Sequence, residues 1–422
     1  MQTAALLFAA TYILLLVFTK YRAYVCVVSA ALFILLGILP PEKALACVDL
    51  NVILTIVGTM GIMYLFCASK MPALLADIIV ERSPGATYAA VALSLFAGAI
   101  SAFVDNVATV LMVAPVALSV ARRLKIDPCP MVVAVSVASN LQGAATLVGD
   151  TTSIMLAGSA GMDFSDFFFF HGRPGLFWIV EVSALAATLV LLRLFRGQSR
   201  RMPEMTRRTE VSDYFPTALI VCAVLSLAAV SFIPQKPPWA NGAVCAALFL
   251  IGLMRDVLIK KSAGAVRGAL SDMDLATVCV LACLFVIVGG MTEAGVIDAI
   301  AGAFVRISGS SLFLTYTLVV WFSVAVSAVV DNIPYVAAML PVVSAMSVLM
   351  NVEPYLLLFG LLTGATLGGN MTPVGASANI AAIGILEKEG LRLRPAQFMR
   401  IGVPFTLAAV VTGYVLLWLV WS

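Results

Sequence analysis

The sequence predicts an all-α polytopic membrane protein made of two inverted-topology repeats, each with five crossings, one re-entrant helical hairpin and one broken helix. Three observations predict it. Of 422 residues, 62% are hydrophobic and 11% charged, at a mean hydropathy of +1.08. A soluble domain carries roughly 25% charged residues, so most of this surface must face lipid. Second, two related motifs, SAFVDNVATVLMVAP at 101–115 and SAVVDNIPYVAAMLP at 327–341, each set one Asp-Asn pair in a long run with no other charge. Third, the basic residues fall into short loops between apolar runs.

Taken in order, the apolar runs are 3–19, 23–39, 51–68, 86–104, 107–121, 130–160, 176–195, 214–233, 239–254, 274–292, 311–330, 333–350, 355–386 and 398–421. Most suit the roughly 20 residues that cross a ~30 Å hydrocarbon core. The first begins near Thr3 with no basic flank and no small-residue cleavage site, which reads as a retained helix and not a removed signal peptide. Runs 130–160 and 355–386 are about one and a half times the needed length. They carry Gly143, Gly149, Gly364, Gly368, Gly369, Pro373 and Gly375, so each is one broken helix or two crossings.

Cytoplasmic loops are enriched in Lys and Arg, and this decides between the two. With the N-terminus outside and each long run crossing once, 21 of the 25 basic residues lie inside; Lys43, Arg173, Lys236 and Arg306 remain outside. With two crossings each, the split is 14 inside and 11 outside. One broken crossing per half is therefore expected. Both termini are then outside, and the Arg-rich stretch 196–213 is a cytoplasmic linker between halves 1–195 and 214–422. The near absence of a loop at Asp105-Asn106 and Asp331-Asn332 favours re-entrant hairpins over full helix pairs.

A fixed offset relates the halves: 331 − 105 = 226. It carries Ser101, Asp105, Asn106 and Pro115 onto Ser327, Asp331, Asn332 and Pro341. The same offset carries Gly143, Thr146, Val148, Gly149 and Ile154 onto Gly369, Thr372, Val374, Gly375 and Ile380. With five crossings and a hairpin per half, the two copies insert in opposite senses. Inverted repeats with interrupted helices are the architecture of secondary transporters, with the site at mid-membrane where the breaks meet.

Irregular backbone at membrane depth survives only when buried or lining a cavity. Helix N-termini there suit an anion, and free carbonyls suit a cation. The segments contain no Lys or Arg, so two tips and two breaks are expected to build a site without a basic residue, and to leave their acids with no buried cation. Asp105, Asp150 and Asp331 are the candidates for carrying H⁺ or Na⁺, since a charge in the bilayer is costly. Asp105 and Asp331 equally suit N-capping. Asp150 has Ala376 as its mate, which breaks the symmetry and makes it the first candidate for coupling. Asn106, Thr109, Asn140, Thr146, Gly149, Thr151, Thr152, Ser153, Asn332, Thr366, Asn370, Thr372, Gly375, Ser377 and Asn379 supply neutral donors, acceptors and close approach. Singly, each Ser or Thr suits a helix–helix hydrogen bond; their clustering at the breaks is the signal. The eight scattered cysteines form neither a disulfide framework nor a zinc site. His171 reads as a loop residue and DFFFF at 166–170 as an interfacial anchor.

FVDNVATVLMVAPV, SNLQGAATLVGDTTSIMLAG and GGNMTPVGASANIAAIGILEKEG resemble the hairpin-tip and broken-helix motifs of the ion transporter superfamily. Within it the likeness is to the group of arsenite permeases, NhaD-type sodium–proton antiporters and the melanosomal P protein, related to divalent anion–sodium symporters. That resemblance implies a homodimer and an elevator: scaffold helices in 1–82, 176–195, 214–292 and 398–421, with transport parts 86–160 and 311–386 moving against them. It implies a small anion or oxyanion such as arsenite, or a carboxylate, coupled to H⁺ or Na⁺, with no other cofactor or metal. Asp105 and Asp331 stand where dicarboxylate-type tips carry serine, and Pro334-Tyr335 replaces small residues. Sodium–proton antiport is the alternative. The other classes are a channel, whose water-type Asn-Pro-Ala differs from Asn332-Ile333-Pro334, and an intramembrane aspartyl protease, whose Tyr-Asp and Gly-x-Gly-Asp motifs are unmet by FVDN and TLVGD. No Walker motif occurs, so ATP drive requires a partner subunit. The expected partners are a small ion and the bilayer of a prokaryotic inner membrane, with no nucleic acid.

Overall fold

The computed structural model describes residues 1–18, 21–196, 208–260 and 264–422; Lys20 and residues 197–207 of the linker lie outside them. Twenty α-helices occur in the described residues. The first half holds α1 (Gln2–Val17), α2 (Arg22–Leu35), α3 (Pro41–Ala46), α4 (Leu50–Ala68), α5 (Met71–Glu81), α6 (Ala86–Ser101), α7 (Asn106–Leu124), α8 (Cys129–Gly143), α9 (Thr151–Ala160) and α10 (Leu176–Leu194). The second holds α11 (Phe215–Ser231), α12 (Ala240–Lys260), α13 (Gly264–Asp272), α14 (Leu275–Glu293), α15 (Val296–Ile307), α16 (Leu312–Ser327), α17 (Asn332–Met350), α18 (Tyr355–Gly368), α19 (Ser377–Lys388) and α20 (Pro395–Trp421).

All the apolar runs fall on helices, and both long runs are broken, at 144–150 and at 369–376. Among the described residues, seven helices are long and apolar enough to cross a membrane by length and composition: α4, α7, α10, α12, α14, α17 and α20. The short helices α3, α5, α13 and α15 escape an apolar-run reading because each is too brief or too amphipathic. In α15, for example, Val296, Ile297 and Ala301 are buried while Asp298 and Arg306 sit on the other side. The DFFFF stretch departs from a pure helical fold. Phe169–Phe170 pairs antiparallel with Arg173–Pro174, Phe167 is buried, and Phe170 packs on Tyr355 and Trp421.

Local chemistry fixes where the central helices start and stop. Asp105 and Asp331 cap α7 and α17, which carry Pro115 and Pro341 at equivalent turns. Both helices end on a left-handed residue, Lys125 (φ 52°) and Asn351 (φ 53°). Nearly every residue of α8 and α18 is buried, so both helices are surrounded by protein, although α8 carries Ser136, Ser139, Asn140 and Gln142. Around them pack α6, α7, α16 and α17, together with α10 and α20, which lie on each other and on α8 and α18. A separate set of contacts joins α2 to α14 and α4 to α12.

Candidate functional site

The site begins with two close approaches. Each break passes over a hairpin tip so tightly that no side chain fits. A Cβ on Gly149 would lie 2.6 Å from the Gly143 oxygen and 2.7 Å from the Ser101 oxygen. One on Gly375 would lie 2.6 Å from the Gly369 oxygen and 2.7 Å from the Ser327 oxygen. Thr146 hydroxyl donates to the Ala102 carbonyl of the first tip, and Thr372 hydroxyl to the Ala328 carbonyl of the second. Backbone groups freed by the turns are thus satisfied within the protein, as their burial requires.

Polar side chains knit the two halves together beside these approaches. Asn140 Nδ2 donates to the Thr366 oxygen at 2.7 Å and to Asn370 Oδ1 at 3.1 Å. Asn140 and Thr366 are mates at the 226 offset, so equivalent positions touch. Asn106 Nδ2 donates to Asn140 Oδ1 at 2.9 Å, and Thr109 hydroxyl to the Asp105 oxygen at 3.0 Å. Ser153 hydroxyl donates to the Gly143 oxygen at 3.3 Å, and its mate Asn379 donates to the Gly369 oxygen at 3.0 Å. Thr152 and Thr366 hydroxyls lie 3.1 Å apart.

The starts of α7, α9, α17 and α19 then meet around one cavity. Their first residues Asn106, Thr151, Asn332 and Ser377 all line it, with Asp105 and Asp150, and its volume is about 590 Å³. Of the candidates read from sequence, these six touch the cavity. Asp331 does not line it but accepts from Ser377, which does, and Thr109, Asn140, Thr146, Gly149, Thr152, Ser153, Thr366, Asn370, Thr372, Gly375 and Asn379 hold the tips and breaks together. Asp105 accepts from the amides of Val107 (3.0 Å) and Ala108 (3.1 Å). Asp150 accepts from Thr152 Oγ1 at 2.9 Å and Asn332 Nδ2 at 3.2 Å. Among the described residues, no basic group stands at ion-pair distance from Asp105 or Asp150.

One expectation is corrected. The site does include basic residues, because Lys70 lines the cavity and Arg22 forms ion pairs with Asp331 at 3.3 Å and with Asp274 at 2.9 Å. Asp274 and Thr277, at the start of α14, also line the cavity. Lys70, Asp274, Thr277 and Arg22 were invisible to motif reading because each sits at an ordinary helix end, far away in sequence. A nearby concentration of charge at 20–22, 70 and 272–274 is the only signal. Among the described residues the cysteines form no disulfide, and Cys26, Cys129 and Cys245 are the buried ones.

Chemically, the cavity offers carboxylates at Asp105, Asp150 and Asp274, one ammonium, neutral amides and hydroxyls, and four helix N-termini. Such starts stabilise negative charge, while the carboxylates suit a cation, so an anion and a cation can share the space. Helices long and apolar enough to cross a membrane among the described residues, closed around a cavity with charged and polar groups in its wall, define a multi-pass membrane protein. The chain belongs to the citrate transporter family, whose sequence profile matches residues 12–356 and 246–422; its members are transporters, not enzymes.

A 46 kDa membrane protein of Mycobacterium leprae is 36% identical over 330 residues, spanning 76% of this chain and 74% of its own. An uncharacterized transporter of Mycobacterium tuberculosis is 32% identical over 425 residues, 99% of this chain and 98% of its own. The P protein of Sus scrofa is 24% identical over 493 residues, 97% of this chain and 58% of its own. Among solved structures, the YdaH transporter of Alcanivorax borkumensis shares the fold at a TM-score of 0.57 and 13% identity, over 86% of this chain and 84% of that one.

Proposed function

We propose that the protein is a secondary active transporter that carries a small carboxylate or oxyanion in the 590 Å³ cavity, coupled to H⁺ or Na⁺. One observation carries the reading: the first residues of the two hairpin helices α7 and α17 and of the two broken-helix halves α9 and α19 line a single cavity. Citrate is the first cargo to test, because the family is described by it. The matching bonds at Thr146 and Thr372, and the paired close approaches at Gly149 and Gly375, support two inverted repeats. Packing supports a moving group of α6–α9 and α16–α19 that also takes in α10 and α20, helices the resemblance alone assigned to the scaffold. The exposed rim residues Lys70 and Asp274 lie on the side that the basic-residue count assigns to the cytoplasm, which supports an inward-open state.

Sodium–proton exchange is the second reading. It is favoured by Asp150, a buried carboxylate held by a hydroxyl and an amide with no cation beside it. Purified protein in liposomes separates the two. Uptake of radiolabelled citrate, another carboxylate or arsenite under an imposed pH or Na⁺ gradient is expected. Gradient-driven Na⁺/H⁺ exchange with no uptake of any of these anions contradicts the anion reading.

A further inference from the structure

We infer that Arg22 is a positioning residue that clamps the second hairpin tip to the cytoplasmic end of α14, and so sets the balance between the two access states; this rests on the elevator reading above. Arg22 is the first residue of α2. Its Nη1 reaches Asp331 Oδ2 at 3.3 Å, while its Nη2 reaches Asp274 Oδ2 at 2.9 Å and Thr277 Oγ1 at 2.8 Å. Asp274 and Asp331 cap α14 and α17, so one planar guanidinium ties two helix starts together. Only a fork-shaped cation reaches both carboxylates at once.

Depth gives the contact its meaning. Arg22 and Asp274 stand at helix ends that the basic-residue count places at the cytoplasmic surface. Asp331 belongs to a tip expected to reach mid-membrane. The three meet only when the tip has travelled to the inner side. The clamp also bears on the cavity wall, since Ser377 hydroxyl donates to Asp331 at 3.0 Å and Asn332 and Ser377 line the cavity. The repeat is broken here. At the offset of 226, Asp331 has Asp105 as its mate, but position 22 + 226 holds Leu248. The opposite state therefore lacks this anchor, and losing Arg22 favours the outward-open state. The triad is only partly shielded, with side-chain exposures of 29%, 49% and 23%. The expected change is therefore about tenfold, near the worth of one charge-assisted hydrogen bond.

The test uses full-length protein in lipid nanodiscs, its native cysteines replaced and spin labels placed at Val329→Cys and Leu258→Cys, both exposed. Distance distributions are read by double electron–electron resonance with and without imposed Na⁺ and citrate. Arg22→Gln is expected to shift the ratio of the two label distances about tenfold. Arg22→Lys should fall between, keeping one carboxylate contact, and Asp274→Asn should match Arg22→Gln with no further shift when the two are combined. Two distances that Arg22→Gln leaves in wild-type proportion overturn the inference alone. A single distance in every variant and condition overturns the elevator reading and the inference with it.

Discussion

Alanine at Gly149 is expected to disable transport, for a reason set entirely by backbone. The new methyl would stand 2.6, 2.7 and 2.9 Å from the oxygens of Gly143, Ser101 and Ala102. Ordinary contacts settle near 3.5 Å, so the tip and the end of α8 must separate by roughly 0.7 Å or more. None of these atoms is the end of a flexible side chain that can step aside. Overpacking of this kind costs about 1–3 kcal/mol, set against roughly 0.4–1 kcal/mol gained by stiffening the unfolded chain. Because the tip and break residues line the cavity, a displacement approaching 1 Å also lowers turnover by about 10²-fold. Initial uptake rates in liposomes and thermal unfolding of Gly149→Ala measure both effects. Gly375→Ala should behave alike, with 2.6, 2.7 and 2.9 Å to Gly369, Ser327 and Ala328. Uptake within twofold of wild type and an unchanged Tm for both variants would refute the argument.

Thr146→Val strands a buried tip carbonyl and should cost about 1–3 kcal/mol, and Thr372→Val, whose carbonyl is only partly buried, should cost less; both are read in denaturant or thermal titrations, with Ser at either position recovering most of the loss. Asp150→Asn keeps an acceptor for Thr152 but removes the charge; uptake should lose its dependence on the imposed pH or Na⁺ gradient, measured by comparing gradient and no-gradient rates. Lys70 holds φ 61° and lines the cavity, so Lys70→Gly should raise stability by up to about 1 kcal/mol while weakening anion binding, a pair of opposite shifts readable by calorimetry. At the linker's edge, the hydrogen bond from Arg208 holds the Glu81 carboxyl below the ordinary carboxylate range. A lowered folded-state pKa stabilises above the unfolded value of about 4.3 and is lost as pH falls through the lowered one. Hydrogen exchange at 208–212, corrected for intrinsic rate, should therefore be flat from pH 8 to 5 and rise only in stronger acid, whereas Glu81→Gln raises it throughout.

The tips and breaks were legible because membrane burial punishes charge and free backbone, so an Asp-Asn pair or a Gly-Asp run in an apolar stretch stands out by itself. A constant offset of 226 then linked tip to break without any knowledge of distance. The division of labour within the candidate set was not legible. Thr146 and Thr151 look alike in sequence, yet one holds a tip carbonyl and the other lines the cavity, a matter of which way each faces after the turn. Arg22 and Asp331 are 309 positions apart, and no local pattern joins them. Helices α5 and α15 stayed hidden because eleven or twelve amphipathic residues look the same whether they lie on a membrane surface or in a loop.

The most direct measurement of the central claim is equilibrium binding of radiolabelled citrate, other small carboxylates and arsenite to purified protein, with Asn106→Ala and Asn332→Ala alongside. Both asparagines sit at helix starts on the cavity wall. A cavity that holds the cargo predicts that at least one of these ions binds, and that each replacement weakens it about tenfold or more, the worth of a lost hydrogen bond in a desolvated site. An ion that binds the wild type and keeps its full affinity in both variants would place the cargo elsewhere and contradict the account.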